Sequence, residues 1–170
     1  MFEGNKLTMK KMILILTSIM VVAMLFTACS SGPVEIAKPQ PSEGATMFTA
    51  EGNCEAALNG NVLTISGTAN LMDGTNGIIS VINADGTMAE EFKFTKESSE
   101  LSHDFEVADD WQDVVYGYIT FDTQQAKSQP SEVTEVYGKK FENIQGPESN
   151  VIWDTKGVIV TFRSGEVKVR

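Results

Sequence analysis

The sequence predicts an all-β protein built as a single antiparallel sandwich, on three observations. Apolar and polar residues alternate with a period of two in run after run. Those runs are rich in β-branched and aromatic residues. Turn pairs containing glycine fall between them at intervals of about ten residues. Alternation with that composition marks half-buried strands, and many short strands so spaced fold as two packed sheets. No stretch sustains a helical period. Helix is expected only as a turn near Ala108 to Asp113.

In chain order the first element is a leader. Lys10 and Lys11 precede an uncharged apolar run from Met12 to Phe26, and Thr27-Ala28-Cys29 and the small residues Ser30, Ser31 and Gly32 follow it. A basic start, about 15 apolar residues and a small-residue exit are the parts of an export signal. The run falls short of the roughly 18 residues a spanning helix usually needs. Met9 also reads as a natural start, with Met1 to Thr8 upstream of it. A cysteine directly after Thr-Ala makes the leader resemble a bacterial lipoprotein signal. That resemblance implies cleavage after residue 28 and a diacylglyceryl thioether on Cys29. Two acyl chains bury on the order of 30 methylenes at about 0.8 kcal/mol each, which makes such an anchor effectively permanent. The membrane is then a partner through that anchor, and the protein is expected on the extracytoplasmic face of the cell membrane.

Residues 29–46 read as a flexible tether. Pro33, Pro39, Pro41 and Gly44 occur there without apolar periodicity, and such a chain could reach about 50 Å at roughly 3.1 Å per residue. The β domain is expected over 47–170. Leu63, Ile65, Gly67 and Ala69 alternate with Thr64, Ser66, Thr68 and Asn70. Ile78 to Ile82 is a short β-branched run. Phe92 with Phe94, and Leu101, His103, Phe105 with Val107, give two further faces. Val115, Gly117, Ile119 and Phe121 share one face of the strongest run, with Tyr116, Tyr118 and Thr120 on the other. Val133 and Val136-Tyr137 suggest another strand. Val151 to Trp153, Val158 to Phe162 and Val167 to Val169 predict extra C-terminal hairpin strands. Asn59-Gly60, Asp73-Gly74, Asn76-Gly77, Asp85-Gly86, Lys156-Gly157 and Ser164-Gly165 supply the turns, since glycine takes positive φ and Asn or Asp tolerates it.

Charge narrows the partners. Loss of the leader would move the formal net charge from −10 to −12. A strongly acidic domain repels phosphate backbones, so no nucleic acid partner is expected. The acids are scattered and read as a solvated surface. Cys29 and Cys54 are the only cysteines. If Cys29 carries lipid, Cys54 has no internal disulfide partner, and it reads as a small core residue.

The middle of the chain carries a resemblance. Ile65-Ser66-Gly67-Thr68-Ala69-Asn70-Leu71-Met72-Asp73-Gly74-Thr75 is followed by Tyr116-Gly117-Tyr118-Ile119. Gln129-Pro130-Ser131-Glu132-Val133 and Gly138-Lys139-Lys140-Phe141-Glu142-Asn143-Ile144-Gln145-Gly146-Pro147 come last. Over about residues 60–147 this is similar to uncharacterised bacterial surface lipoproteins with an immunoglobulin- or fibronectin-III-like domain. The resemblance implies an immunoglobulin-like β-sandwich and no particular activity, because fold alone does not carry function.

Candidate chemistry is sparse. His103 is the only histidine. Adjacent strand residues point to opposite faces, so it cannot pair with Asp104. A hydrolase centred on His103 would need a serine, a carboxylate or Cys54 from another strand. No nucleophile elbow, zinc motif, phosphate loop or C-x-x-C is present, and no metal or other cofactor is expected. Asp73, Asp85, Asp109, Asp110 and Asp113 lie near turns, where calcium is the ion to weigh, but Asp-Gly is first a turn signal. Tyr116, Tyr118, Trp111 and Trp153 are the candidate ligand contacts, because an open aromatic face can stack on a sugar or anchor a protein. The expected function is a lipid-anchored, non-catalytic binding or envelope-associated module. A cell-wall glycan-binding domain using those aromatics is the alternative, and an inhibitor or assembly factor with a protein partner is another.

Overall fold

The computed structural model describes residues 36–124 and 128–170. The leader and Cys29 lie outside the described residues. The chain forms β1 (Phe48–Thr49), β2 (Gly52–Asn59), β3 (Val62–Ala69), β4 (Asn76–Asn83), β5 (Met88–Thr95), β6 (Glu100–Glu106) and β7 (Val114–Phe121). A helix α1 (Ser131–Tyr137) follows, then β8 (Ile144–Gln145), β9 (Val151–Trp153) and β10 (Val158–Lys168). The fold is therefore mostly β, as expected. One sheet runs β5-β4-β7-β10-β9 and a second runs β2-β3-β6, and every pair inside both is antiparallel. β1 and β8 form a short parallel pair. Among the described residues no helix is long and apolar enough to cross a membrane.

The alternation read from the sequence decides which atoms meet between the sheets. Leu63 and Ile65 of β3 and Phe105 of β6 are buried together with Ile79, Val81, Val115, Ile119, Phe121, Val160 and Phe162 of the five-stranded sheet. Glycine sets the spacing at the centre. A Cβ on Gly117 would lie 3.0 Å from the Ile65 side chain, and one on Gly67 would lie 2.8 Å from Ile119 Cδ1. Each sheet thus offers a flat spot where the other places a branched side chain. Interiors packed to crystal-like density leave no slack for an added methyl there.

Five local expectations are corrected. Val133 and Tyr137 are not strand residues; they are the buried i, i+4 pair of α1. The stretch 52–59, in which no strand was named, is β2, paired along its whole length with β3 through the two-residue Gly60-Asn61 connection. Gly60 has φ 61° there, the positive value that the first position of a tight hairpin loop demands. Asn76-Gly77 is not a turn but the start of β4. Gly77 is required because a Cβ would sit 2.8 Å from the Phe94 ring and 2.9 Å from that of Phe121. Ser164-Gly165 is not a hairpin either. It is a bulge within the single strand β10, where the register against β7 shifts between Arg163 and Glu166. The Ser164 hydroxyl accepts the Gly117 N–H at 2.8 Å and so takes the place of a ladder acceptor. The turn at Ala108 to Asp113 contains no helix.

The segment between β7 and β10 binds the rest of the domain through the residues that carried the resemblance. Tyr137 Oη accepts the Met72 N–H at 2.7 Å. Gln129 Oε1 accepts the Asn76 N–H at 2.9 Å, while its Nε2 donates to the carbonyls of Asn76 and Asp122. The early and late motifs are thus two sides of one contact. The same segment holds the described part of the expected tether. Asn143 accepts the Ser42 N–H through Oδ1 and the Phe48 N–H through its carbonyl. Trp153 Nε1 donates to the Ile36 carbonyl at 2.8 Å. Residues 36–46 have no sheet partner, as their composition implies, but they are bonded to the domain.

Candidate functional site

β7 is the central strand of the five-stranded sheet, so its outward residues have partners on both sides. Tyr116 stands between Ile82 of β4 and Glu166 of β10, Tyr118 between Ser80 and Arg163, and Thr120 between Ile78 and Thr161. β5 extends these rows with Met88 beside Ile82, Glu91 beside Ser80 and Lys93 beside Ile78. Residues directly opposite across an antiparallel pair have Cβ atoms about 5 Å apart and interact. The Arg163 guanidinium lies 4.0 Å from the Tyr116 ring centroid and 5.9 Å from that of Tyr118. Both distances are within cation–π range. Thr120 and Thr161 share a hydrogen bond of 3.1 Å, and Glu91 pairs with Lys93 at 3.3 Å. Tyr116, Tyr118, Thr120 and Thr161 are half-buried, while Arg163 and Met88 are exposed. Ile78, Ser80, Ile82, Met88, Tyr118 and Thr120 line a shallow groove along this face.

The four aromatic candidates do not assemble. Tyr116 and Tyr118 share the outer face as expected. Trp111 is 3% exposed and belongs to the core, in the loop before β7, where its carbonyl accepts Arg170 Nη1. Trp153 lies at the far edge of the same sheet. It is opposite Val158, a buried residue, so it does not share the tyrosine face. Arg163 is the member that sequence reading missed. It alternates outward after Phe162, a signal present in the sequence, but its place beside Tyr118 follows only from the pairing of β10 with β7.

The remaining candidates have structural partners. His103 stacks flat on Phe92 at 3.7 Å between centroids and meets Phe105 edge-on at 4.7 Å. Phe92 is on β5 and His103 on β6, so this stack closes the gap between the edge strands of the two sheets. Cys54 pairs with Gly67, and Gly67 with Leu101. Cys54 is thus two strands away from His103 and offset along them. Burial pushes its thiol up to about 12, with bonds to the Ser164 and Ile119 backbone opposing, so the thiolate that nucleophilic chemistry needs is suppressed. Asp73 holds the buried Lys96 ammonium at 2.6 Å. Asp85 accepts from the Thr87 hydroxyl and N–H and from Gln112 Nε2, and the Thr87 hydroxyl is the main cause of its lowered pKa. Among the described residues no group of three His, Cys, Asp or Glu could hold a metal ion.

No family model, no curated protein and no solved structure matches this chain.

Proposed function

We propose that this protein is a lipid-anchored extracytoplasmic module with an immunoglobulin-like sandwich of fibronectin-III type. It is non-catalytic, and it binds a protein partner through the outer face of its five-stranded sheet. Strand order supports the fold. Taken as A, B, C, C′, E, F and G, the strands β2, β3, β4, β5, β6, β7 and β10 divide as A-B-E against C′-C-F-G, with β9 as an added edge. The anchor is supported by the basic, apolar and small-residue succession that ends at Cys29. The non-catalytic reading is supported by a histidine held between two aromatic rings and a thiol kept protonated by burial.

The observation that carries the binding face is the Tyr116–Arg163–Tyr118 ladder. Tyrosine and arginine with a flanking apolar groove are the residue types that dominate protein interfaces. The ladder favours a protein over a sugar, because Arg163 lies over the Tyr116 ring where a sugar would stack. Metabolic labelling with a tagged fatty acid tests the anchor: the wild type takes up label and Cys29→Ser does not. Co-purification from detergent-solubilised membranes tests the face, with a partner retained by the wild type and lost from Tyr118→Ala and Arg163→Ala. Retention on purified peptidoglycan that Tyr118→Ala abolishes would instead favour the glycan-binding alternative.

A further inference from the structure

A second group of exposed apolar residues lies at the β9 edge of the same sheet. Ile36, Ile152 and Trp153 are 41%, 44% and 36% exposed. Ile152, opposite Ile159, is on the outer face of the edge strand and Trp153, opposite Val158, is on its inner face, so the two flank its free side from opposite faces. The Trp153 indole donates to the Ile36 carbonyl at 2.8 Å. The Lys38 ammonium lies 5.5 Å from the Trp153 ring centroid. Tryptophan beside a lysine and aliphatic side chains is the composition that settles at a membrane–water boundary, with its apolar body inside and its polar edge wet.

We propose that this edge contacts the membrane, with Trp153, Ile152 and Ile36 in the headgroup region of the leaflet that holds the Cys29 acyl chains. The inference rests on the reading that Cys29 is acylated. Chain length carries it. Residues 36–46 are bonded to the domain through Trp153 and Asn143, so only the seven residue steps from Cys29 to Ile36 remain as reach. Fully extended, those steps span at most about 25 Å, against roughly 60 Å for the steps to a free tether's end at residue 46. A lipid held at one end of so short a link keeps Ile36 within about 25 Å of the bilayer surface, and Ile36 is the residue Trp153 binds. Glu148 lines a groove with Ile152 and Trp153 and Asp154 follows Trp153 in the chain, so the contact is made by apolar insertion and not by attraction to anionic lipid.

The test uses the full protein purified from membranes with its anchor, reconstituted into phosphatidylcholine–phosphatidylglycerol vesicles that contain dibrominated phosphatidylcholine. Bromine quenches tryptophan only on close approach, and Trp111 is buried in the domain. The expected result is loss of emission in the wild type, unchanged by high salt, and no such loss in Trp153→Phe. Ile152→Asp, which keeps Trp153, should weaken the quenching and supplies a second variant. Intact mass of the same preparation reports the acyl group separately. An acylated protein without quenching overturns the membrane contact and leaves the anchor standing. Quenching that persists in Trp153→Phe, or that high salt abolishes, also overturns it. Absence of the acyl mass overturns both.

Discussion

The outward faces of the two sheets obey the same alternation and carry opposite chemistry. Outside the three-stranded sheet, Asn53, Thr68 and Glu100 form one row and Glu55, Ser66 and Ser102 the next. Side-chain hydrogen bonds there run between strands of the sheet, with the Thr64 hydroxyl donating to Asp104 and the Thr68 N–H and hydroxyl donating to Asn53 Oδ1. Outside the five-stranded sheet, the corresponding rows hold Met88, Ile82 and Tyr116, then Ser80, Tyr118 and Arg163. A face that needs only to be wet is made cheaply from hydroxyls and acids. Large aromatic and aliphatic groups held half-exposed confer no solubility, and this is the face to which the proposal assigns the contact. The difference teaches that the inward half of each strand builds the fold, while the outward halves are free to differ in chemistry.

The largest expected effects come from the inward half that both faces share. Gly67→Val would drive side-chain atoms into the Asn53 carbonyl and Ile119 Cδ1, and should cost about 3 kcal/mol in denaturant unfolding. Thr64→Ala, on the outside of the same strand, should change stability by less than about 0.5 kcal/mol. Equal losses would erase the distinction between inner and outer halves. Ser164→Ala comes next. It leaves the buried Gly117 N–H without its acceptor, at about 1–2 kcal/mol, and it should loosen the bulge that aims Arg163 at the tyrosines.

Cys54 gives a pH test of the interior. Its folded pKa is raised, from 9.0 to about 12, so between those values the unfolded chain binds fewer protons than the native one. Stability is then level below about pH 8 and falls as pH rises, by about 1 kcal/mol at pH 10. Melting curves of Cys54→Ala should lack that slope, and a slope of the same size would place its cause elsewhere. The candidate face itself should contribute little to stability. Tyr118→Ala and Arg163→Ala should each unfold within about 1 kcal/mol of the wild type while losing the partner. A larger destabilisation would make the ladder a structural element.

Much of the fold was legible because period two is a local property. β3, β4, β6 and β7 declare themselves in Leu63-Ile65, Ile78–Ile82, Leu101–Phe105 and Val115–Phe121. The elements that were missed owe their form to distant partners. Of the inward positions of β2 only Cys54 and Ala56 carry covered side chains, since Gly52 has none and Leu58 is exposed, and little in Gly52–Asn59 favours a strand apart from its pairing with β3. α1 contains valines and a threonine that favour strands. It is helical because Val133 and Tyr137 bury together, and the Tyr137 hydroxyl reaches Met72. Gly77 and Gly165 look like turn glycines, but one makes room for two phenylalanine rings and the other sits in a bulge. The site was half legible for the same reason. Tyr116 and Tyr118 share a face by counting, whereas Arg163 joins them through a pairing that spans more than forty residues.

The most direct test replaces one residue on each outer face with a photo-crosslinking amino acid, in the full chain and in the cell envelope. The account predicts a discrete crosslinked species from position 118 on the five-stranded sheet and none from position 102 on the three-stranded sheet. Equal crosslinking from both positions, or crosslinking from 102 alone, would contradict it.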